Sequence, residues 1–253
     1  MSVPAAGRWL RRARPLLGTL VEVGVRAGGG DNAALEAAFA AVLEAQRHMS
    51  RFDPASDVSR FHRLECGHSL SVHPMTREVL ATASELHAAT EGAFDISLGT
   101  APQGWHLEGT ILRKLSAQVR LDLGGIAKGH AVDVAVQALL DRGCAAGWVN
   151  AGGDLRAFGD LVLPVQLRDE ATGGVRHFAS VQDGALATSC FDSSSRSQLA
   201  AAPGAVRRSA HVSVCAPRCL WADALTKIVA LSGDPSHPLL ARYGATAWTH
   251  RWA

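Results

Sequence analysis

The chain has 253 residues, with 25 Lys+Arg against 23 Asp+Glu, a formal net charge of +2. So small a charge is not the footprint of a protein that lives on nucleic acid. With 47% apolar residues the chain is not intrinsically disordered, and no run of about 18 uncharged apolar residues is present to span a membrane. Only Lys114, Lys128 and Lys227 are lysines; the other basic residues are arginines, a bias that fits a GC-rich genome. Five cysteines without a CxxC pair read as reduced thiols, not a zinc ribbon or a dithiol. The basic stretch near the N-terminus is not followed by an apolar run of signal length, so a cytoplasmic protein is expected.

In chain order, Leu16 to Val25 alternates and reads as a first strand. Gly28 to Asn32 is a turn whose Asp31 or Asn32 caps a helix from Ala33 to Met49, striped by Leu35, Phe39, Val42 and Leu43. Ser50 to Arg60 is a polar loop with a cap at Ser56 or Asp57. A second helix, entered after Pro74, runs from Thr76 to Thr90, with Gly92 in the C′ role. Ala93 to Gly99 is strand or loop, and residues 100–118 are irregular. Val119 to Leu123 is a strand, broken by Gly124-Gly125, and Ile126 to Arg142 a strong helix.

Ala146 to Asn150 is a buried strand. Leu161 to Leu167 and Val175 to Val181 pair around a turn at Thr172-Gly173-Gly174, and Ala185 to Ser189 is a separate strand. Ser193 to Arg208 is a polar loop. A strand at His211 to Cys215, helices at Cys219 to Ser232 and Pro238 to Tyr243, and a strand at Ala245 to His250 close the chain. Hairpins mixed with helices, and no linker or repeat, indicate an α+β class in a single domain over residues 1–253.

Four segments carry chemistry. In Leu121 to Asp133 a strand enters a Gly pair and a helix begins, with Lys128 in its first turn. Glycine lets backbone approach a phosphate, and helix N-terminal amides are donors. Asp133 suits a ribose hydroxyl or base amine. It is neither a Walker A loop nor GxGxxG, and alone it also fits a tight turn with a surface lysine. Asn150-Ala151-Gly152-Gly153-Asp154 follows a strand and permits close ligand approach. Thr188 and Ser189 offer hydroxyls at a strand end. Asp223, with Thr226 and Lys227, opens a helix, where a carboxylate also serves simply to satisfy the dipole.

Taken in order, these segments resemble one family. With Pro15 to Thr19, Met49-Ser50-Arg51-Phe52-Asp53-Pro54 and Gly92 to Ser97 (including Asp95), they look like the FAD:protein FMN transferases, the ApbE family of flavin transferases. The resemblance implies an ApbE-like, T-fold-related mixed sheet packed with helices, with an FAD cleft between two lobes. It implies transfer of FMN from FAD to a Ser/Thr hydroxyl of a target protein carrying a flavinylation motif, releasing AMP. The alternatives are an FAD-binding relative without transferase activity, acting as carrier or electron-transfer partner, and an FAD pyrophosphatase giving FMN and AMP.

By resemblance, Met49, Ser50, Phe52, Asp95, Gly125, Lys128, Asp133, Gly153, Asp154, Thr188 and Ser189 bind FAD. Asp223 and Thr226 hold Mg2+ on the diphosphate, with a backbone carbonyl near residues 152–154. Asp223, Lys227 and Thr188 stand at the reaction. The chain departs from the family where chemistry is expected. Gln198 stands where the family has a His, and a Gln does not trade a proton near neutral pH. Lys227 stands where it has a Thr, one helical turn from Asp223, so its ammonium either repels Mg2+ or stands in for it. His62 replaces an Asn, Cys190 a Gly, and the segment between Ser97 and Leu121 is shortened.

Overall fold

Two consecutive residues of positive φ, Leu17 (55°) and Gly18 (70°), fold the chain's first strands into a hairpin. These are β1 (Trp9–Leu16) and β2 (Thr19–Arg26), so the basic stretch is itself a strand rather than a lead-in. The structure, a computed structural model, describes residues 8–28, 31–168, 174–191 and 210–250. The polar loop expected at 193–208, and Gln198 within it, lie outside the described residues.

Helix α1 (Asp31–Met49) follows, then α2 (Asp57–Arg63), β3 (Ser69–Ser71) and α3 (Pro74–Ala89). The Ser56 hydroxyl caps α2 by accepting the Ser59 N–H at 3.0 Å. Imidazole Nδ1 of His73 caps α3 ahead of Pro74. At its end the left-handed position after Thr90 is taken by Glu91 (φ 51°), and Gly92 (φ 88°) comes one residue later than expected.

The stretch expected to be irregular contains a hairpin, β4 (Trp105–Glu108) and β5 (Ile111–Lys114), which pairs with β3 in a three-stranded sheet. Conversely, 119–123 is no strand. Val119, Leu121 and Leu123 alternate into the core as a strand would, but the Leu121 N–H donates to the His62 ring (2.8 Å) and the Asp122 N–H to the Ile96 carbonyl (2.7 Å). A side chain and a loop thus take the bonds a neighbouring strand would have taken.

Then come α4 (Ala127–Asp141), β6 (Gly147–Ala151), β7 (Asp154–Arg168), β8 (Val175–Phe191), β9 (Ala210–Ala216), α5 (Cys219–Ser232), α6 (Pro238–Arg242) and β10 (Thr246–His250). The strands expected at 175–181 and 185–189 are one, β8. Register shifts against β7 absorb the irregularity without ending the pairing.

The larger sheet is antiparallel throughout, in the order β1-β2-β6-β7-β8-β9-β10. On one face Val21, Val23 and Val25 meet Leu35, Phe39 and Val42 of α1 and Val132 and Val136 of α4. On the other, Trp148 packs with Leu155, Leu161 and Leu163. A third cluster joins α2, α3 and the small sheet to α5, through Phe61, Leu80, Leu112 and Leu225. Each large apolar side chain so buried contributes about 1.5–3 kcal/mol. This mixed architecture is α+β.

Helices α4 and α5 cross closely at Gly129. A Cβ there would meet the Cys219 carbonyl and lie 2.8 Å from the Asp223 Cβ. That crossing sets the start of α4 beside the first turns of α5.

Candidate functional site

A cavity of about 840 Å3 opens where the start of α4, the C-terminal end of β8 and one face of α5 meet the hairpin turn at Leu17–Thr19 and the loop 93–98. This size is usual for a small-molecule or cofactor site. A second cavity of about 590 Å3 adjoins it, sharing Arg51, Phe52, Leu98 and Asp122. Phe52 stands at the mouth, 82% exposed, with the Arg51 guanidinium 4.7 Å from its ring centre. Arg51 reaches across to Asp122 at 3.1 Å.

The floor is charged. Lys227 lines the cavity and is otherwise buried. Its ammonium bonds the Asp223 carboxylate, the Asp223 carbonyl (3.0 Å) and the Ser189 hydroxyl (3.2 Å). The other Asp223 oxygen accepts the Gly129 N–H at 3.0 Å, so this anion sits at the start of α4, where the helix dipole favours it. Thr226 donates its hydroxyl proton to the Asp223 carbonyl (2.7 Å) and shares a hydrogen bond with Ser189 (2.9 Å). Burial would raise the Asp223 carboxyl, but Lys227, Lys128 and the Gly129 N–H hold it below the usual range.

Lys128, on the first turn of α4, pairs with Asp154 at 2.5 Å. Asp154 is fully buried, and apart from this ion pair neither of its oxygens has a hydrogen-bond partner among the described residues. Burial and the charge of Asp223 push it up to about 6, against the pull of Lys128 and Lys227. For Lys128, burial favours the neutral amine, but Asp154 and Asp223 outweigh it and hold the ammonium charged.

Of the residues expected at an FAD site, Phe52, Asp95, Gly125, Lys128, Thr188 and Ser189 line the cavity. Asp95 does so with its carboxylate turned inward, accepting from Ser97 and Gly99 at 2.8 Å and shaping the loop. Gly125 lies beside the stem of Lys227, whose nearest carbon is 3.5 Å from where a Cβ would stand. Asp154, Asp223 and Thr226 lie beneath the lining, joined to it through the two lysines and Ser189.

Others stand apart. Met49 is buried in the core at the end of α1. Ser50 braces the turn before α2, its hydroxyl accepting the Phe52 N–H and its carbonyl the Ser56 hydroxyl. Gly153 (φ 103°) donates its N–H to Asn150. Asp133 is outside the cavity. Its carboxylate accepts the Cys219 and Leu220 N–H groups at 2.9 Å and pairs with Arg156 at 2.8 Å, so it anchors the start of α5.

Sequence reading missed two features. One is the bridge from Arg51 to Asp122, although both lay in recognised blocks. The other is a chain of hydrogen bonds leading from the cavity, from Thr188 to Ser213 (2.8 Å) to His250 (2.9 Å). Burial, with His211 and Arg176 nearby, pushes His250 down to about 4, so it is neutral near pH 7. Ser213 and His250 sit on strands with no local motif, and only the pairing of β8, β9 and β10 aligns them.

The sequence profile of the ApbE family matches residues 17–111 and 106–247, most of the chain. The chain belongs to the ApbE family. It is 29% identical over 139 residues to a FAD:protein FMN transferase of Chlamydia muridarum, a match covering 44% of each protein. It is 28% identical over 145 residues to one of Vibrio cholerae, covering 46% of this chain and 43% of that protein. The matched stretches thus span under half the length of these relatives. Among solved structures, the Pseudomonas stutzeri flavinyl transferase ApbE superposes with a TM-score of 0.81 at 22% identity, over 96% of this chain and 90% of that one. The Vibrio cholerae flavin transferase ApbE does so at 0.77 and 20% identity, over 89% and 88%. At these identities the superpositions establish the fold, which is that of the ApbE family.

Proposed function

We propose that this protein, acting as one unit, transfers FMN from FAD to a Ser or Thr hydroxyl of a target protein, with release of AMP. The observation that carries this is the cavity in an ApbE-family chain: two lysines on its floor, a glycine-lined helix start and strand-end hydroxyls, with an exposed aromatic at its mouth. Relatives named as FAD:protein FMN transferases support it. The ammonium groups of Lys128 and Lys227 face the diphosphate, and the Thr188 hydroxyl donates to one of its oxygens, while Ser189 is held by Lys227 and Thr226 beneath it. Phe52 gives an aromatic face to a flavin or adenine ring.

Transfer of this kind depends on positioning and on neutralising charge at the phosphate. The target hydroxyl attacks the FMN phosphorus, the bond to the AMP oxygen breaks, and the hydroxyl proton leaves. The proton passes to water or to the departing AMP phosphate, and the hydrogen-bonded chain from His250 through Ser213 orients the Thr188 hydroxyl at the cavity. Mg2+ is the metal the family resemblance implies, but the residues present do not fit it, and no step here passes through a metal.

Incubation with FAD and a target bearing a flavinylation Ser/Thr motif tests the proposal. A covalently yellow target and an equal amount of AMP are expected. FMN and AMP without labelled target would make the protein a pyrophosphatase, and bound FAD left intact a carrier.

A further inference from the structure

We propose that the Lys227 ammonium occupies the position for which the family resemblance implies Mg2+, so that this protein holds the FAD diphosphate without a divalent cation. For the identity of the nucleotide this rests on the reading above; for the ammonium itself it does not.

An ammonium carries three N–H donors and no acceptor. Three oxygens surround Nζ of Lys227: a carboxylate oxygen of Asp223, the Asp223 carbonyl and the Ser189 hydroxyl. Carboxylate, carbonyl and hydroxyl are the donor types of a hard-cation site. Each is already used by hydrogen. The remaining Asp223 oxygen holds the Gly129 N–H, and the Thr226 hydroxyl is spent on the Asp223 carbonyl and Ser189. Mg2+ asks for near-octahedral oxygens at about 2.0–2.1 Å. Placed among these same oxygens, it would lie against a fixed positive charge.

The placement of Lys227 is built in rather than incidental. It is one helical turn beyond Asp223 on α5, its stem runs along Gly125, and its head is held among buried groups while still lining the cavity. Lys128 reaches the same cavity from α4, balanced by Asp154 as Lys227 is by Asp223. Two ammonium groups thus stand toward the incoming diphosphate, each with a carboxylate beneath it as a metal ion would have.

Two titrations test this. FAD is titrated into metal-stripped wild-type protein in EDTA and again in Mg2+, followed by flavin fluorescence. Affinities within twofold are expected, and binding tenfold or more tighter in Mg2+ would overturn the proposal. Mn2+, as a probe for Mg2+, is titrated into the nucleotide-free protein and followed by electron paramagnetic resonance. This second titration is also run on His48→Ala, because Glu44, His48 and His73 lie close enough together to hold a metal elsewhere. No saturable site is expected in His48→Ala, and one there would overturn the proposal.

Lys227→Thr in the same background should gain a Mn2+ site and bind FAD at least tenfold tighter with Mg2+ than in EDTA. A folded Lys227→Thr that gains neither refutes the substitution of ammonium for metal. If that variant does not fold, the wild-type and His48→Ala titrations decide. Failure of FAD to bind in either buffer would sink the flavin reading, and the Mn2+ result would then judge the ammonium alone.

Discussion

Asp133→Ala separates two roles for a residue that sequence alone assigns to a nucleotide. In the fold its carboxylate is buried at the start of α5, accepting the Cys219 and Leu220 N–H groups, with Arg156 and Arg218 alongside. Removing it leaves two N–H groups inside the protein unpaired, at about 1–3 kcal/mol each. Loss of a negative charge at a helix N-terminus adds about 0.3–1 kcal/mol. The arginines are partly exposed and turn to water at little cost. The expected loss is about 3–5 kcal/mol, a large share of the roughly 5–15 kcal/mol that holds a typical protein folded. Asp133→Asn keeps one acceptor oxygen and should lose about half as much. Urea unfolding followed by tryptophan fluorescence reads the stability, and FAD titration well below the transition reads the site. FAD affinity of the folded variant should stay within about twofold of wild type, since the cavity is built from other residues. An unmoved unfolding midpoint together with a tenfold loss of FAD affinity would refute this reasoning and return Asp133 to the nucleotide.

Gly129→Ala should destabilise by about 1–3 kcal/mol in the same unfolding assay, because its methyl group meets the Cys219 carbonyl where α4 crosses α5. A neutral result would mean that the crossing is looser than described. Phe52→Ala, at an 82% exposed position, should change stability by less than about 0.5 kcal/mol but weaken FAD about three- to tenfold through lost stacking; unchanged affinity removes Phe52 from the site. Asp154 gives a pH signature. Its carboxyl is raised in the fold from 3.8 to about 6, so its contribution is complete below about pH 4 and is lost as pH rises through 6, about 3 kcal/mol in all. In Lys128→Met that carboxyl rises further and the loss continues above pH 6. The deficit of the variant against wild type should therefore grow by up to about 2 kcal/mol between about pH 5 and about pH 7.5, whatever the packing of the methionine. Equal deficits at both pH values would show that Lys128 and Asp154 are not coupled.

What was legible in the sequence follows the range of the forces involved. Helix α5 was read at its true bounds because its apolar face and the Gly233 stop are local. The cavity lysines were legible because glycines and a helix start surround Lys128, and because Lys227 breaks a family pattern. Strand β1 was missed since Arg11 and Arg12 in succession break the alternation and none of its residues is buried; pairing with β2 makes it a strand. Residues 119–123 misled in the opposite direction, having a strand's alternation but a histidine ring and a loop for partners. The partners of Asp133, Cys219 and Leu220, were not legible because they are 86 and 87 residues away. Spacing along α4 shows that a carboxylate is present, not which donors it meets.

The three lysines make one further point about charge inside this fold. Lys114, at the end of β5, is buried and donates to the His62 carbonyl at 2.9 Å, tying the small sheet to α2. Lys128 reaches the buried Asp154, and Lys227 reaches Asp223 and Ser189. Each therefore puts its ammonium on a specific interior oxygen. An arginine there would bring a planar fork of five donors, most of which these enclosed sites could not satisfy, whereas an ammonium is a compact charge with three. In a chain whose other basic residues are all arginine, lysine thus stands where the shape of the donor matters. The same comparison applies at the cavity floor: a group that places one positive charge among three oxygens is, in form, a cation ligated by them, and at Lys227 the chain supplies that cation itself.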